Sequence, residues 1–291
     1  MSQSNSAQGI GRRRIVRYGL LAAIVAAGLG TGLAFGSWTR ACAGGNCPSI
    51  AVLDQYRPVE SSKIYAADGR LIADLGVDLR TVLRIDEMAP ALRAAFIAIE
   101  DKRFYEHRGI DYRRILGAAA ADLRCFCRAQ GFSTITMQLA RNVFPDQLPR
   151  GKTIARKVRE VQVALELERT YDKDRIFELY LNQIFLGRRY HGVESASQAY
   201  FGKSARDLNV AEAALLAGMT QVPNRYDPTR FPERAVRRRN LVINLMRNQG
   251  YIDSLQAEIW KAHPLELDSR SQYDESGSYF VEWIRQELFQ R

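Results

Sequence analysis

The chain has 291 residues, 46% of them hydrophobic and 25% charged, a balance that excludes a disordered polymer and suits one large or two small domains with a true core. Its net charge of +10 is unusual and directs attention to anionic partners: nucleic acid, an acidic membrane surface or a pyrophosphate. Charge alone does not choose among these.

In chain order, residues 1–17 read as a polar tail in which Arg12, Arg13, Arg14 and Arg17 gather before the first apolar segment. Tyr18 to Thr39 holds no charged residue. At the rise of an α-helix that run is long enough for ~30 Å of hydrocarbon, which predicts one transmembrane helix over 18–39. The arginines before it and Trp38 at its far end keep the N-terminus in the cytoplasm and put the body outside, in the periplasm of a cell with an inner membrane. A cleaved signal peptide is the alternative reading, with Ala41-Cys42-Ala43 as a poor cleavage site. A body outside the cytoplasm argues against nucleic acid as the partner.

Residues 40–60 form a linker that carries Cys42 and Cys47; a second close pair is Cys125 and Cys127. Disulfides are permitted outside the membrane, and Cys42–Cys47 is a pair that can close a small Gly-rich loop. Zinc is disfavoured, because none of His107, His191 and His263 has ligand spacing to the cysteines.

From Ser61 to Arg84 the pattern turns to β, with Asp68-Gly69 between two short alternating runs as a hairpin signal. After Pro90 the spacing predicts helices over Ala91–Tyr105, Tyr112–Leu123, Thr134–Val143, Thr153–Thr170, Lys173–Phe185, Gly192–Phe201, Val210–Thr220 and Glu233–Gln249. Gly109, Gly131, Pro145, Gly187, Gly202 and Pro223 punctuate them. The fold class is mainly α: one helical domain over 61–265 with a small β piece, and a C-terminal segment over 266–291. Ile115 to Ala121 is a run of small and apolar residues, read first as helix packing and second as a face that dips into a lipid surface.

Two glutamates stand where helix geometry calls for an apolar residue. Glu100 shares its face with Phe96, Ile97 and, on a continued helix, Phe104; Glu160 shares its face with Val163, Ala164 and Leu167. An inward carboxylate loses solvation and becomes suited to accepting a proton near neutral pH. The plainer reading pairs each with a basic neighbour, Arg103 for Glu100 and Arg156 for Glu160. Around them stand Ser133 or Thr134 as helix caps, Met137 and Arg141 on the next helix, Arg156 and Lys157 on the side of Glu160, and a basic run at 237–239 whose default role is a solvated face.

The order and spacing of these pieces resemble the glycosyltransferase domain of peptidoglycan polymerases, the class A penicillin-binding proteins and their monofunctional relatives. Glu100 to Gly109 matches that family's E-D-x-x-F-x-x-H-x-G through Asp101, Phe104 and His107. Gly131 to Gln138 matches G-G-S-T-I-T-Q-Q with Phe132 and Met137 as departures. Arg156 to Glu160 matches R-K-x-x-E, Lys173 to Asn182 matches K-x-x-I-x-x-x-Y-x-N through Tyr180, and Arg238-Arg239 opens R-R-x-x-V.

The resemblance implies a lysozyme-like helical fold and lipid II, a disaccharide-pentapeptide on a polyprenyl pyrophosphate, as the substrate. Glu100 is implied as general base toward the acceptor sugar, and Glu160 as a donor-side residue that positions the pyrophosphate or a divalent cation bound to it. Arg141, Lys152, Arg156 and Lys157 are implied to neutralise the leaving group, with Arg103 orienting Glu100 or holding a phosphate. Asp101, Phe104, His107, Ser133, Thr134, Gln138, Lys173, Tyr180, Asn182, Arg238 and Arg239 complete the implied substrate site. No cofactor is obligatory; a divalent cation, Mg or Mn, on the pyrophosphate is the one option. The growing glycan strand, the membrane and other cell-wall synthesis proteins are the implied partners. Residues 278–291 resemble the link into a transpeptidase domain whose Ser-x-x-Lys, Ser-x-Asn and Lys-Thr-Gly set does not occur in this sequence. Two other readings remain beside it: a lytic hydrolase of the same fold, and a tethered scaffold that has lost turnover through Phe132 and Met137.

Overall fold

The computed structural model describes residues 28, 31–32, 35–36, 38–42, 47–54, 62–65, 67, 71–75, 79–125, 131, 133–149, 151, 153–268, 283 and 286–287. Among these, no helix is long and apolar enough to cross a membrane, and most of 18–39 lies outside them. The basic tail, the Asp68-Gly69 turn, Phe132, Lys152 and most of 266–291 lie outside them as well.

The described residues are mainly helical. Two short strands, β1 (Ser62–Tyr65) and β2 (Leu71–Leu75), pair antiparallel with Ser62 opposite Leu75, as the two alternating runs predict. A second pair, β3 (Leu79–Arg80) and β4 (Tyr190–His191), runs parallel and ties the start of the helical body to its middle. The helices are α1 (Pro90–Glu100), α2 (Tyr112–Cys125), α3 (Ile135–Val143), α4 (Ile154–Thr170), α5 (Lys173–Gln183), α6 (Val193–Phe201), α7 (Val210–Met219), α8 (Pro232–Asn248) and α9 (Ser254–Ala262).

α7 is the hub. Its sequence VAEAALLAGM is apolar all round, and every residue from Ala213 to Met219 is buried. Asn209 and Glu212 close a capping box at its start, so the helix is fixed at one end before any packing is counted. α1 and α8 pack against it, and Gly218 lets Arg238 of α8 come close enough that a Cβ would meet the arginine Cγ at 3.0 Å. α3, α4 and α5 form the neighbouring layer, joined to the first by Phe96, Phe104, Phe177 and Tyr180 in one continuous core.

Two departures from the sequence pattern are informative. α1 stops at Glu100 rather than running to Tyr105, because Asp101 takes φ −155° and its carboxylate accepts from the Ile135 amide at 3.1 Å and faces His107 Nε2 at 2.9 Å. Phe104 therefore enters the core from a turn and not from the helix face of Glu100. α9 is a helix the periodicity did not mark; a capping box of Asp253 and Gln256 starts it, after Gly250 with φ +78°.

Asn182 illustrates how a motif letter serves the fold. Its Oδ1 accepts from Leu83 N at 3.0 Å, and its Nδ2 donates to Leu83 O at 2.8 Å and Glu178 O at 2.9 Å. Nearby Gly192, with φ +82°, lies so close to the Asn182 carbonyl that a Cβ would sit 2.8 Å from its oxygen. Asn182→Ala leaves both backbone groups of buried Leu83 without that partner, and denaturant unfolding is expected to show a loss of about 2–4 kcal/mol. A loss under ~0.5 kcal/mol, inside the usual spread for neutral surface changes, removes this account.

Candidate active site

α1 ends at the same edge of the hub at which α7 ends. Glu100 is the last residue of α1 and Thr220 the first after α7, and their side chains meet: Thr220 Oγ1 donates to Glu100 Oε1. Across the edge, Gln138 of α3 donates from Nε2 to Glu100 Oε2 at 2.7 Å. The guanidinium of Arg114 in α2 closes the helix end, donating from Nη1 to the Glu100 carbonyl at 2.6 Å and from Nε to Gly131 O at 3.1 Å. Glu100 is thus part-buried, with both carboxylate oxygens met by neutral donors.

Arg103, expected beside Glu100, is turned elsewhere. Its Nε donates to Asp111 Oδ2 at 3.0 Å and its Nη2 to Asp111 Oδ1, a two-pronged pair. Burial drives the Asp111 carboxyl upward, and Arg103 with the Arg114 amide outweighs it, so the carboxyl ends below its ordinary range. The pair braces the loop between α1 and α2.

Glu160 is fully buried on α4, on the apolar face with Val163, Ala164 and Leu167 that the sequence predicts. Arg156 Nη1 donates to its Oε1, Lys157 Nζ lies 3.2 Å from Oε2, and Arg141 Nη1 of α3 stands 3.8 Å from Oε1. Three cations meet one carboxylate, so the cluster keeps a positive excess. Lys157 also donates to Ser133 Oγ at 2.9 Å and lies 3.4 Å from the Met137 sulfur. Burial pushes the Lys157 ammonium below its ordinary range, against the pull of Glu160. Met137 itself is buried with Ile110 and Ala164, so its thioether closes a small apolar cluster beneath the ammonium.

An open cleft of about 490 Å³ is lined by partners of both carboxylates. Gln138 and Thr220, which hold Glu100, line it together with Arg141 and Arg156, which face Glu160. Gln221 and Asn142 add polar groups to the wall. Gln138 and Arg141 stand one turn apart on α3, so one rigid helix carries a partner of each acid.

The other motif residues gather behind this cleft. Thr134 caps α3, accepting from Met137 N at 3.2 Å and donating to Gly109 O at 2.7 Å. Gly109 has φ +80° and backs onto α4, where a Cβ would meet the Ala164 carbonyl oxygen at 3.1 Å. Lys173 donates to Glu168 Oε1 at 2.7 Å, with its ammonium 4.3 Å from the centre of the Phe104 ring, and burial lowers it from its ordinary range. Tyr180 is fully buried, and burial first, then the charge of Glu100, raises its phenol well above the ordinary range. Arg238 donates to Gly218 O and to Gln221, while Arg239 is buried against α9, donating to the carbonyls of His263 and Lys261 at 2.8 and 2.9 Å.

Thus the structure brings together Glu100, Gln138, Arg141, Arg156, Lys157, Glu160 and Ser133 at or beside the cleft. It sets Asn182, Arg239 and Arg103 to structural contacts. The sequence reading had passed over Thr220, Arg114 and Asp111; none lies in a quoted motif, and each is known only by its partner in space.

These features define a helical domain that pairs a braced carboxylate with a cation cluster across one cleft. The transglycosylase family model matches residues 68–247 of the chain, and the chain belongs to that family. It is 42% identical over 246 residues to penicillin-binding protein 1A of Aquifex aeolicus, covering 84% of this chain and 33% of that protein. It is 38% identical over 279 residues to penicillin-binding protein 1A of Escherichia coli, covering 96% of this chain and 32% of that protein. Penicillin-binding protein 1A/1B of Bacillus subtilis is 39% identical over 265 residues, with 88% and 29% covered. The chain therefore spans about a third of the length of these relatives.

Because Glu160 has no access to solvent, removing it strands its cations. Glu160→Ala is expected to cost about 3–5 kcal/mol of unfolding free energy, the range for breaking a buried ion pair from one side. Chemical denaturation of the full chain measures it, and a loss below ~1 kcal/mol contradicts the pairing described.

Proposed function

We propose that this protein is a membrane-tethered peptidoglycan glycosyltransferase that polymerises lipid II into β-1,4-linked glycan strands. The observation that carries the reading is the shared cleft: Gln138 and Thr220, which hold Glu100, and Arg141 and Arg156, which face Glu160, line one groove. Glu100 takes the proton of the acceptor's 4-hydroxyl as that oxygen attacks the donor's anomeric carbon. The bond from that carbon to the pyrophosphate oxygen breaks, its electron pair leaves with the lipid pyrophosphate, and the carbon inverts. Arg141, Arg156 and Lys157 meet the charge that grows on the departing oxygen, and being already oriented they need no reorganisation to do so. Glu160, buried beneath them, acts through those cations by holding them in place.

Among the described residues no three His, Cys, Asp or Glu side chains gather as ligands, and both Glu160 oxygens face cationic groups. This donor set does not fit a resident divalent cation. A cation carried in by the donor belongs to its own phosphate oxygens.

The same occupancy disfavours the hydrolase reading. An inverting hydrolase needs a second carboxylate free to activate water, with the two groups about 6.5–9.5 Å apart. Glu160 is sealed and fully paired. The charge-free run from Tyr18 to Thr39 supports an anchored chain with its body on the outer face of the membrane, where the lipid-borne substrate and the growing strand are within reach. Other cell-wall synthesis proteins fit as neighbours there.

The full chain in detergent is expected to convert lipid II into polymer, and Glu100→Gln to slow it by about 10²–10⁴-fold, the usual worth of a general base. Glycan length on gels and the melting temperature of the variant are read together. Wild-type protein that binds lipid II without forming polymer, or that releases fragments from intact cell wall, ends this reading.

A further inference from the structure

Among the described residues that hold the proposed base, Thr220 does so through a single atom, a hydroxyl oxygen, that can both give and take a hydrogen. Its Oγ1 donates to Glu100 Oε1, while Ala217 O, three residues back in α7, lies 2.9 Å from the same hydroxyl. A single hydroxyl proton serves one of these acceptors at a time. Toward an ionised carboxylate the charge-assisted bond wins, and the hydroxyl points to Glu100. Toward a protonated carboxyl the hydroxyl turns to Ala217 O and offers its lone pair to the carboxyl hydrogen. Gln138 presents a donor, Nε2, and takes the carboxyl hydrogen only if its amide turns through half a circle to bring its oxygen forward. The Thr220 hydroxyl needs only to turn its own hydrogen.

From this geometry we propose that Thr220 is a positioning residue for Glu100, holding its Oε1 both before and after the carboxylate takes the acceptor's proton. The proposal rests on the polymerase reading above for the role of the base. No proton is gained or lost in the exchange: Thr220 keeps its own, and only Glu100 changes its count. The hydrogen bond favours the charged form more than the neutral one, so losing the hydroxyl makes Glu100 hold its proton to higher pH.

The charged and titratable groups facing Glu100 leave this task to Thr220. Asp101 is engaged by His107 and the Ile135 amide. Arg114 of α2 meets the Glu100 main-chain carbonyl. Arg141 of α3 stands toward Glu160, and the phenol of Tyr180 of α5, raised by burial and then by the charge of Glu100, is neutral. Arg238 of α8 is held by Gly218 O and Gln221. Among the described residues, Thr220 is the group whose hydrogen reaches Oε1.

The test compares wild type, Thr220→Val, Thr220→Ala and Thr220→Ser in the full chain. Glu100 is followed by carboxyl ¹³C NMR, assigned by its loss in Glu100→Gln, beside the acid limb of lipid II polymerisation. Val and Ala are expected to move the titration midpoint and the acid limb upward by roughly half to one pH unit, about 3–10-fold in proton affinity, with Ser staying near wild type. A purely structural role lowers the melting temperature and moves neither midpoint nor limb. An unmoved midpoint in Val and Ala, or an equal shift in Ser, overturns the proposal. If the NMR midpoint moves as expected while no variant or wild type forms polymer at any pH, the hold of Thr220 on Glu100 stands and the polymerase reading falls.

Discussion

A carboxylate with no access to water is the constraint from which the rest of this site follows. Glu160 lies inside α4's apolar face, where an unpaired charge costs several kcal/mol, so the fold must deliver cations to it. Two come from its own helix, Arg156 and Lys157 a turn earlier, and the third, Arg141, from α3. That third contact binds the register of α3 to that of α4. It also leaves a positive excess, because three cations answer one acid. Arg141 and Arg156 line the cleft wall, fixed before any substrate arrives. Preorganisation of this kind is what makes charge stabilisation effective in a transition state.

Glu100 is held by a different kind of contact. Its neighbours are an amide and a hydroxyl, Gln138 and Thr220, and the guanidinium nearby is spent on its main-chain oxygen. A carboxylate held by neutral donors keeps its orientation while its charge stays unmatched by a neighbouring cation. The two acids thus divide the labour by their partners. α3 links them: Gln138 touches the first and Arg141 faces the second, three residues apart on one helix face. The separation between base and cation cluster is therefore set by helix geometry and not by a loop.

What the sequence made legible follows from how local each signal is. The burial of Glu160 could be read from a 3.6-residue period, since Val163, Ala164 and Leu167 sit on the same helix. So could its pairing with Arg156, one turn away. The same reasoning gave Glu100 a helix it does not have beyond Asp101, because the side chain of Asp101 is drawn to His107 and the Ile135 amide, and the latter lies 34 residues on. It also gave Arg103 the wrong acid: Asp111, beyond the helix end, holds that guanidinium. Thr220, 120 residues from Glu100, has no local mark at all. Motif spacing picked out the segments, and tertiary contact alone told which letters stand at the cleft and which, like Asn182 and Arg239, hold the backbone.

The net charge carries the same lesson at the scale of the whole molecule. A surplus of +10 says that an anion is welcome somewhere and nothing about where. Among the described residues several cations are paired with acids: Arg103 with Asp111, Arg175 with Glu178, Arg206 with Glu87. Such pairs cancel at any distance beyond a Debye length. The group around Glu160 differs because its members outnumber their counter-charge and share low-dielectric walls, which strengthens their field toward the cleft. A site for a pyrophosphate is therefore recognised by local imbalance under burial, and that imbalance exists only because an acid was buried first to hold the cations still.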